Sequence, residues 1–278
     1  MDMFGVARQD GVMFELQWCQ LAMADLLGAT PVFRNWAAPG TGPHLSLGEV
    51  QLWFADLDIP ADAVADCEQL LSVAERDRAA KYRFVVDRRR FIVRRALLRQ
   101  LVASYITQPA AALEFTTNAF GKPQLALPGV PGNLQFNLAV AQDRALYGFT
   151  WNRALGVDLA HCRTAGGWTE IVDGFFHPTE AAYIHQLPPP QQERAFYKLW
   201  TLKEALVKAG GVGLGDPLAR EDFSPLLRNA AAPCVDAAGR CWQWTCWEPI
   251  NRAFAAVAVE HDLRHASAPL PLPPSCRV

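Results

Sequence analysis

Residues 196–214 read Phe196-Tyr197-Lys198-Leu199-Trp200-Thr201-Leu202-Lys203-Glu204-Ala205-Leu206-Val207-Lys208-Ala209-Gly210-Gly211-Val212-Gly213-Leu214. With Ala195 in front, apolar residues recur at Ala195, Leu199, Leu202, Leu206 and Ala209. Alternating steps of four and three are the period of an α-helix with one buried stripe, expected here over residues 191–209. Gly210-Gly211 supplies a stop. Glu204 and Lys208 fall on the opposite side, one turn apart. For an isolated helix that makes a solvated pair contributing about 0.2–0.5 kcal/mol.

Upstream, Leu155-Gly156-Val157-Asp158-Leu159-Ala160-His161 alternates as a strand. Leu155, Val157 and Leu159 face one way; Gly156, Asp158 and Ala160 face the other. An acid between two residues without bulk leaves room for something large beside it. Read alone, this is an aspartate near a strand end pairing with a turn.

Working outward, strands are expected at about 49–55, 113–117, 134–141, 145–151, 241–247 and 253–260. Helices are expected at about 15–27, 64–81, 87–105, 168–176 and 178–186. Ala37 to Pro43 is turn-rich and reads as a linker, and the prolines from Pro269 to Pro274 favour neither helix nor sheet. Strand, helices and strands thus occur twice, on either side of residues 140–150. The layout is α+β with two pseudo-symmetric lobes, each a small antiparallel sheet with packed helices. The expected division is an extension and linker at 1–45, lobes at 46–145 and 146–263, and a Pro-rich tail at 264–278.

Apolar residues make up 51% of the 278 and charged residues 19%, enough to build a core and to exclude a disordered chain. With 26 basic and 28 acidic residues, nothing global points to nucleic acid or a membrane. Seven cysteines, odd in number and with no C-x-x-C pair, argue against a disulfide scaffold or a structural zinc site. The start at Met1-Asp2-Met3-Phe4 lacks a basic region before an apolar core, so a cytoplasmic location is expected.

Together these segments outweigh their separate readings. Gly156-Val157-Asp158 on a strand is followed 42 residues later by Trp200-x-x-Lys203-Glu204-x-x-x-Lys208, then Gly211-x-Gly213-Leu214. Upstream lie Arg83-Phe84, Arg90, Leu97-Leu98-Arg99, the turn Asn118-Ala119-Phe120-Gly121-Lys122-Pro123, and Gln135-Phe136-Asn137-Leu138. This ordered set, spanning residues 49–262, resembles the 4′-phosphopantetheinyl transferases of the large, surfactin-synthetase-activating type.

The resemblance implies a pseudo-twofold α+β fold with coenzyme A between the halves. It implies Mg2+-dependent transfer of the phosphopantetheine arm to a serine of an acyl or peptidyl carrier protein in secondary metabolism, such as antibiotic biosynthesis, by a monomer. Asp158 and Glu204 match the family's metal carboxylates, Glu204 being also credited with activating the serine, and Lys208 matches the lysine on the phosphates. Lys122 and Pro123 match the turn lining the coenzyme site. Arg90 is the best match for a phosphate contact from the first lobe, and Arg78 or Lys81 would add charge. Between Arg76 and Arg99 stand ten basic residues against two acids.

Two positions depart from the pattern. The second acid of the family's G-x-D-x-E is Ala160, and His161 points to the other face of an ideal strand. The family's Ser-His-Ser is Ala139-Val140-Ala141, which offers no side-chain hydrogen bond or charge. The leading expectation is therefore the transferase. The alternative is a degenerate relative that binds a coenzyme A-like ligand or a holo-carrier protein without transfer, or with repurposed chemistry.

Overall fold

The computed structural model describes residues 7–9, 12–14, 16–23, 26, 31–35, 44–126, 133–162, 166–211, 222–224, 234–235 and 239–261. The expected linker at 37–43 and the Pro-rich tail lie outside them. N-terminal residues supply a hairpin, β1 (Ala7–Gln9) and β2 (Val12–Phe14), then β3 (Leu16–Ala22) and β4 (Arg34–Asn35). The first lobe continues through β5 (Glu49–Asp56), α1 (Ala61–Gln69), α2 (Val73–Ala80) and α3 (Val85–Ile106). It closes with two hairpins, β6 (Phe115–Thr117) with β7 (Pro123–Leu125), and β8 (Leu134–Ala141) with β9 (Arg144–Trp151). The second lobe repeats the plan with β10 (Leu155–His161), α4 (Trp168–Phe175), α5 (Pro178–Gln186) and α6 (Pro189–Gly210). After the short β11 (Cys234–Val235) it closes with β12 (Cys241–Ile250) and β13 (Ala253–His261).

Both main sheets are antiparallel, with orders β4-β3-β5-β9-β8 and β10-β13-β12-β11. In each lobe the opening strand pairs with the second strand of the closing hairpin. This makes the pseudo-symmetry a property of the topology. Three cores define four layers. Helices α1–α3 cover one face of the first sheet, and α4–α6 cover one face of the second. Between them the bare faces meet through Val50, Leu52, Leu146, Leu155, Val157 and Val257. Strands β9, β10 and β13 are thereby covered on both faces, which is why they read as nearly continuous apolar runs.

Two glycines set how closely the layers approach. A Cβ on Gly148 would lie 2.8 Å from Val157 Cγ1, so the sheets touch there. A Cβ on Gly156 would collide with the Ala205 carbonyl oxygen and the Ala209 amide nitrogen, so α6 lies directly on β10. Across the seam, Asn137 Oδ1 on β8 accepts a 2.8 Å bond from the Val157 amide.

The two long helices are braced alike. Ser72 caps α2 in a capping box with Glu75, and His177 caps α5 in one with Glu180. Glu75 also accepts from Arg99 Nε at 2.7 Å and pairs with Arg95, while Glu180 pairs with Lys203 at 2.8 Å. Arg99 and Lys203 each stand fourteen residues beyond the first residue of their helix, Val85 and Pro189. Both are almost fully buried.

The structure corrects two expected elements. In place of the helix expected over 15–27, Leu16–Ala22 is a strand that pairs with β5 from Leu16↔Ala55 to Ala22↔Glu49. Leu16, Cys19, Met23 and Leu26 are buried at helical spacing, and pairing with the edge of β5 overrides that local signal. The single helix expected over 64–81 is two, separated at the Ser72 cap. Among the described residues no helix is long and apolar enough to cross a membrane.

Gly156→Ala is expected to lower stability by about 3 kcal/mol, because backbone rather than a movable side chain blocks the new methyl. Gly174→Ala, with open space around its Cβ position in α4, is expected to raise stability by about 0.5 kcal/mol. Urea unfolding of both variants measures the contrast, and equal midpoints would refute the close packing of α6 on β10.

Candidate functional site

Where α6 crosses β10, Gly156, Asp158 and Ala160 face the helix, as the strand alternation requires. Lys208 Nζ donates to Asp158 Oδ1 at 2.5 Å. Glu204, one turn earlier on α6, is buried like Asp158, each being 6% exposed. The solvated Glu204–Lys208 pair of an isolated helix is therefore not what forms. Lys208 reaches across to the strand, and Glu204 points into protein. Nor is α6 buried along one stripe: Lys203 and Thr201 are as buried as Leu199 and Leu202, because the sheet lies on one side and the rest of the lobe's helical layer on the other.

Burial raises the Asp158 pKa, and the Lys208 ammonium opposes that rise. Glu204 is pushed up to about 7, by burial first and then by the charge of Asp158, with Lys208 again opposing. Its Oε1 is buried and has no hydrogen-bond partner among the described residues. No group of three or more potential metal-ligating side chains occurs among them.

Next to this cluster stands the turn from Asn118 to Pro123. Asn118 Oδ1 accepts from the Phe120 and Lys122 amides at 2.9 Å, and Gly121 takes φ +83°, a left-handed setting suited to glycine. Lys122 Nζ donates to the Leu155 carbonyl at 2.7 Å and the Lys208 carbonyl at 2.9 Å. Asn118 Nδ2 donates to the Gly211 carbonyl at 3.1 Å. Burial brings the Lys122 pKa down to about 8. Pro123 opens β7 opposite Thr117.

The remaining expected contacts, Arg90 and Arg78, have neighbours of their own. Arg90 holds Asp58 through two bonds, Nε–Oδ1 at 2.7 Å and Nη2–Oδ2 at 2.5 Å, and this pairing raises its pKa. Arg78 lies 5.6 Å from the centre of the Phe91 ring. Neither is among the groups bonded to Asp158 or Lys208. The two departures do come together. Val140, Ala141 and Ala160 all line one cleft of about 540 Å³ at the far ends of β8 and β10, together with His161, Trp168 and Trp200. The sequence motif includes Lys203 without giving it a role and misses Glu180, although Glu180 stands three residues after the His177 cap and before an apolar run, a recognisable helix-start pattern.

Buried ionisable groups that shift one another's pKa values, here packed between β10 and α6 of the second lobe, are the pattern from which a candidate functional site is read. Comparison with known proteins gives the class its name. Residues 154–259 match the family model described as 4′-phosphopantetheinyl transferase superfamily, and residues 61–146 that described as 4′-phosphopantetheinyl transferase, N-terminal. The chain is 31% identical over 219 residues to the 4′-phosphopantetheinyl transferase HetI of Nostoc sp., covering 78% of this chain and 91% of that one. It is 35% identical over 225 residues to a phosphopantetheinyl transferase of Thraustochytrium sp., covering 75% and 77%. It is 25% identical over 159 residues to the 4′-phosphopantetheinyl transferase Sfp of Bacillus subtilis, covering 57% and 67%. The chain belongs to the 4′-phosphopantetheinyl transferase superfamily.

The raised Glu204 pKa has a consequence for stability. The folded protein keeps this proton up to about pH 7, whereas the unfolded chain loses it near 4.5. Stability contributed by the protonated carboxyl is therefore present below pH 4.5 and is lost as pH rises to about 7, a fall of about 3 kcal/mol. Glu204→Gln should flatten most of that slope. Unfolding measured at pH 5 and pH 8 tests this: the same slope in both proteins would show that Glu204 is not held protonated.

Proposed function

We propose that this protein transfers the 4′-phosphopantetheine arm of coenzyme A to a serine of an acyl or peptidyl carrier protein, with Mg2+, in secondary metabolism. The observation that carries the reading is the buried Asp158–Lys208–Glu204 cluster between β10 and α6 of a chain in this superfamily. The pathway rests on resemblance to the surfactin-synthetase-activating type.

The residues present fit a small hard cation. Glu204 Oε1 lacks a partner, and two adjacent carboxylates have pKa values raised by burial, Glu204 also by the neighbouring acid. A divalent ion held by Asp158 and Glu204 would relieve both, with phosphate oxygens and water supplying its remaining ligands. When bound, it would neutralise pyrophosphate charge. The chain's own groups do the rest. Lys208 lies where its ammonium can pass from Asp158 to a phosphate oxygen and stabilise the leaving phosphate. Glu204, which the resemblance credits with activating the serine, would be ionised beside a bound cation and accept the serine hydroxyl proton. The serine oxygen then bonds to the phosphorus bearing the pantetheine arm, the bridging P–O bond breaks, and 3′,5′-adenosine bisphosphate leaves. For Arg90 and Arg78 as further phosphate contacts, the resemblance alone is the support.

One observation favours a second reading. Val140, Ala141 and Ala160 line the cleft with methyl groups where the family pattern has polar side chains. On that reading the chain binds a coenzyme A-like ligand or a holo-carrier protein without transferring anything.

Mass spectrometry of an apo carrier protein incubated with coenzyme A and Mg2+ separates the two. Gain of the phosphopantetheine mass, its loss on chelation, and a rate about 100-fold lower in Lys208→Met are the expected results. Absence of any gain across a panel of carriers at saturating coenzyme A would reject the transferase. The second acid is tested on its own. Ala160→Glu is expected to tighten Mg2+ binding by placing a third carboxylate on the strand face of Asp158. Calorimetry showing no gain in affinity would place the ion elsewhere.

A further inference from the structure

Lys122 is expected from resemblance to line the coenzyme site, yet two of its three donors are engaged by backbone. Its acceptors are the carbonyls of Leu155, the first residue of β10, and Lys208, in the last turn of α6. Carbonyls in the last turn of a helix lack partners within it. That of Lys208 accepts from the Gly211 amide at 3.2 Å and keeps a second lone pair for Lys122, where a cation is favoured by the helix dipole. Asn118 takes the neighbouring Gly211 carbonyl. Both donors come from one turn of the first lobe, and the acceptors at the end of α6, Lys208 and its C-cap Gly211, belong to the second. Leu155 and Lys208 also flank the place where Gly156 lets α6 lie against the strand.

We propose that Lys122 is a positioning residue, a latch by which the first lobe holds the last turn of α6 on β10. It thereby sets Lys208 against Asp158 rather than itself touching phosphate. Lys208 is held twice: its carbonyl by Lys122 from the first lobe, its ammonium by Asp158 from the strand. Asp158 stands three residues beyond Leu155, and Glu204 one turn before Lys208. For Lys122 to bind a phosphate with the same donors, it would have to abandon two carbonyls, which the low-dielectric seam penalises.

Only the kinetic part of this inference rests on the proposed transfer; the latch itself is read in the free protein. In Lys122→Met, amide hydrogen exchange at residues 208–211 is expected to rise about tenfold or more while α3 stays protected. Asn118→Ala should produce a smaller rise at the same amides, and it decides the matter if Lys122→Met does not fold. In the transfer assay Lys122→Met is expected to lower kcat about ten- to hundredfold, with coenzyme A affinity by calorimetry within about twofold. Unchanged exchange at the end of α6 overturns the latch. A loss of coenzyme A affinity of about tenfold or more makes the lysine a phosphate contact instead. Faster exchange with unchanged kcat removes the positioning role. Faster exchange in a protein that transfers nothing to any carrier leaves the latch standing and defeats the transferase reading.

Discussion

The site depends on one missing atom group. Because Gly156 has no side chain, the backbone of α6 rests on the backbone of β10, closer than any other residue would allow. At that separation the acid two residues along the strand is within reach of a lysine on the helix and is coupled to a glutamate one turn away. The same closeness keeps water from both carboxyls. Their unusual proton affinities are thus consequences of packing, and the chemistry inherits its electrostatics from a steric fact.

Much of this was legible in the chain. Strands β8 and β10 and helix α5 were read to the residue, because their alternation and caps are local signals. Asp158, Glu204 and Lys208 were picked out together, and the structure does bring them together. What stayed hidden depends on partners distant in sequence. Leu16–Ala22 carries a helical burial rhythm and becomes a strand only because β5 offers an edge. Asp58 engages Arg90 from 32 residues away, a pairing that no local pattern announces. The carbonyls that engage Lys122 are 33 and 86 residues downstream, and no motif could announce them.

The two lobes share a scaffold without sharing a site. On β5, Gln51, Trp53 and Ala55 face α3 as Gly156, Asp158 and Ala160 face α6. Yet Trp53 Nε1 donates to Tyr105 at 2.8 Å, and Tyr105 in turn donates to Gln51 at 2.6 Å. A closed aromatic and amide network fills the place that holds charge in the second lobe. Both halves have the glutamate brace under the long helix. Asymmetry in a symmetric frame leaves the charged cluster in the second lobe without a counterpart at this face of the first.

The brace bears on a motion that sheets do not resist. A helix lying on a flat apolar surface can roll about its axis, because one greasy contact replaces another. Each residue step is a turn of about 100°, so a roll of that size in α6 would carry Lys203 toward the position of Glu204. The Glu180–Lys203 pair is wholly buried, and a roll would strand both charges. The angular setting of the Glu204 carboxyl is therefore fixed by an ion pair on its neighbour, closed off from solvent. It acts as a key in a shaft, leaving the helix one orientation in which to serve.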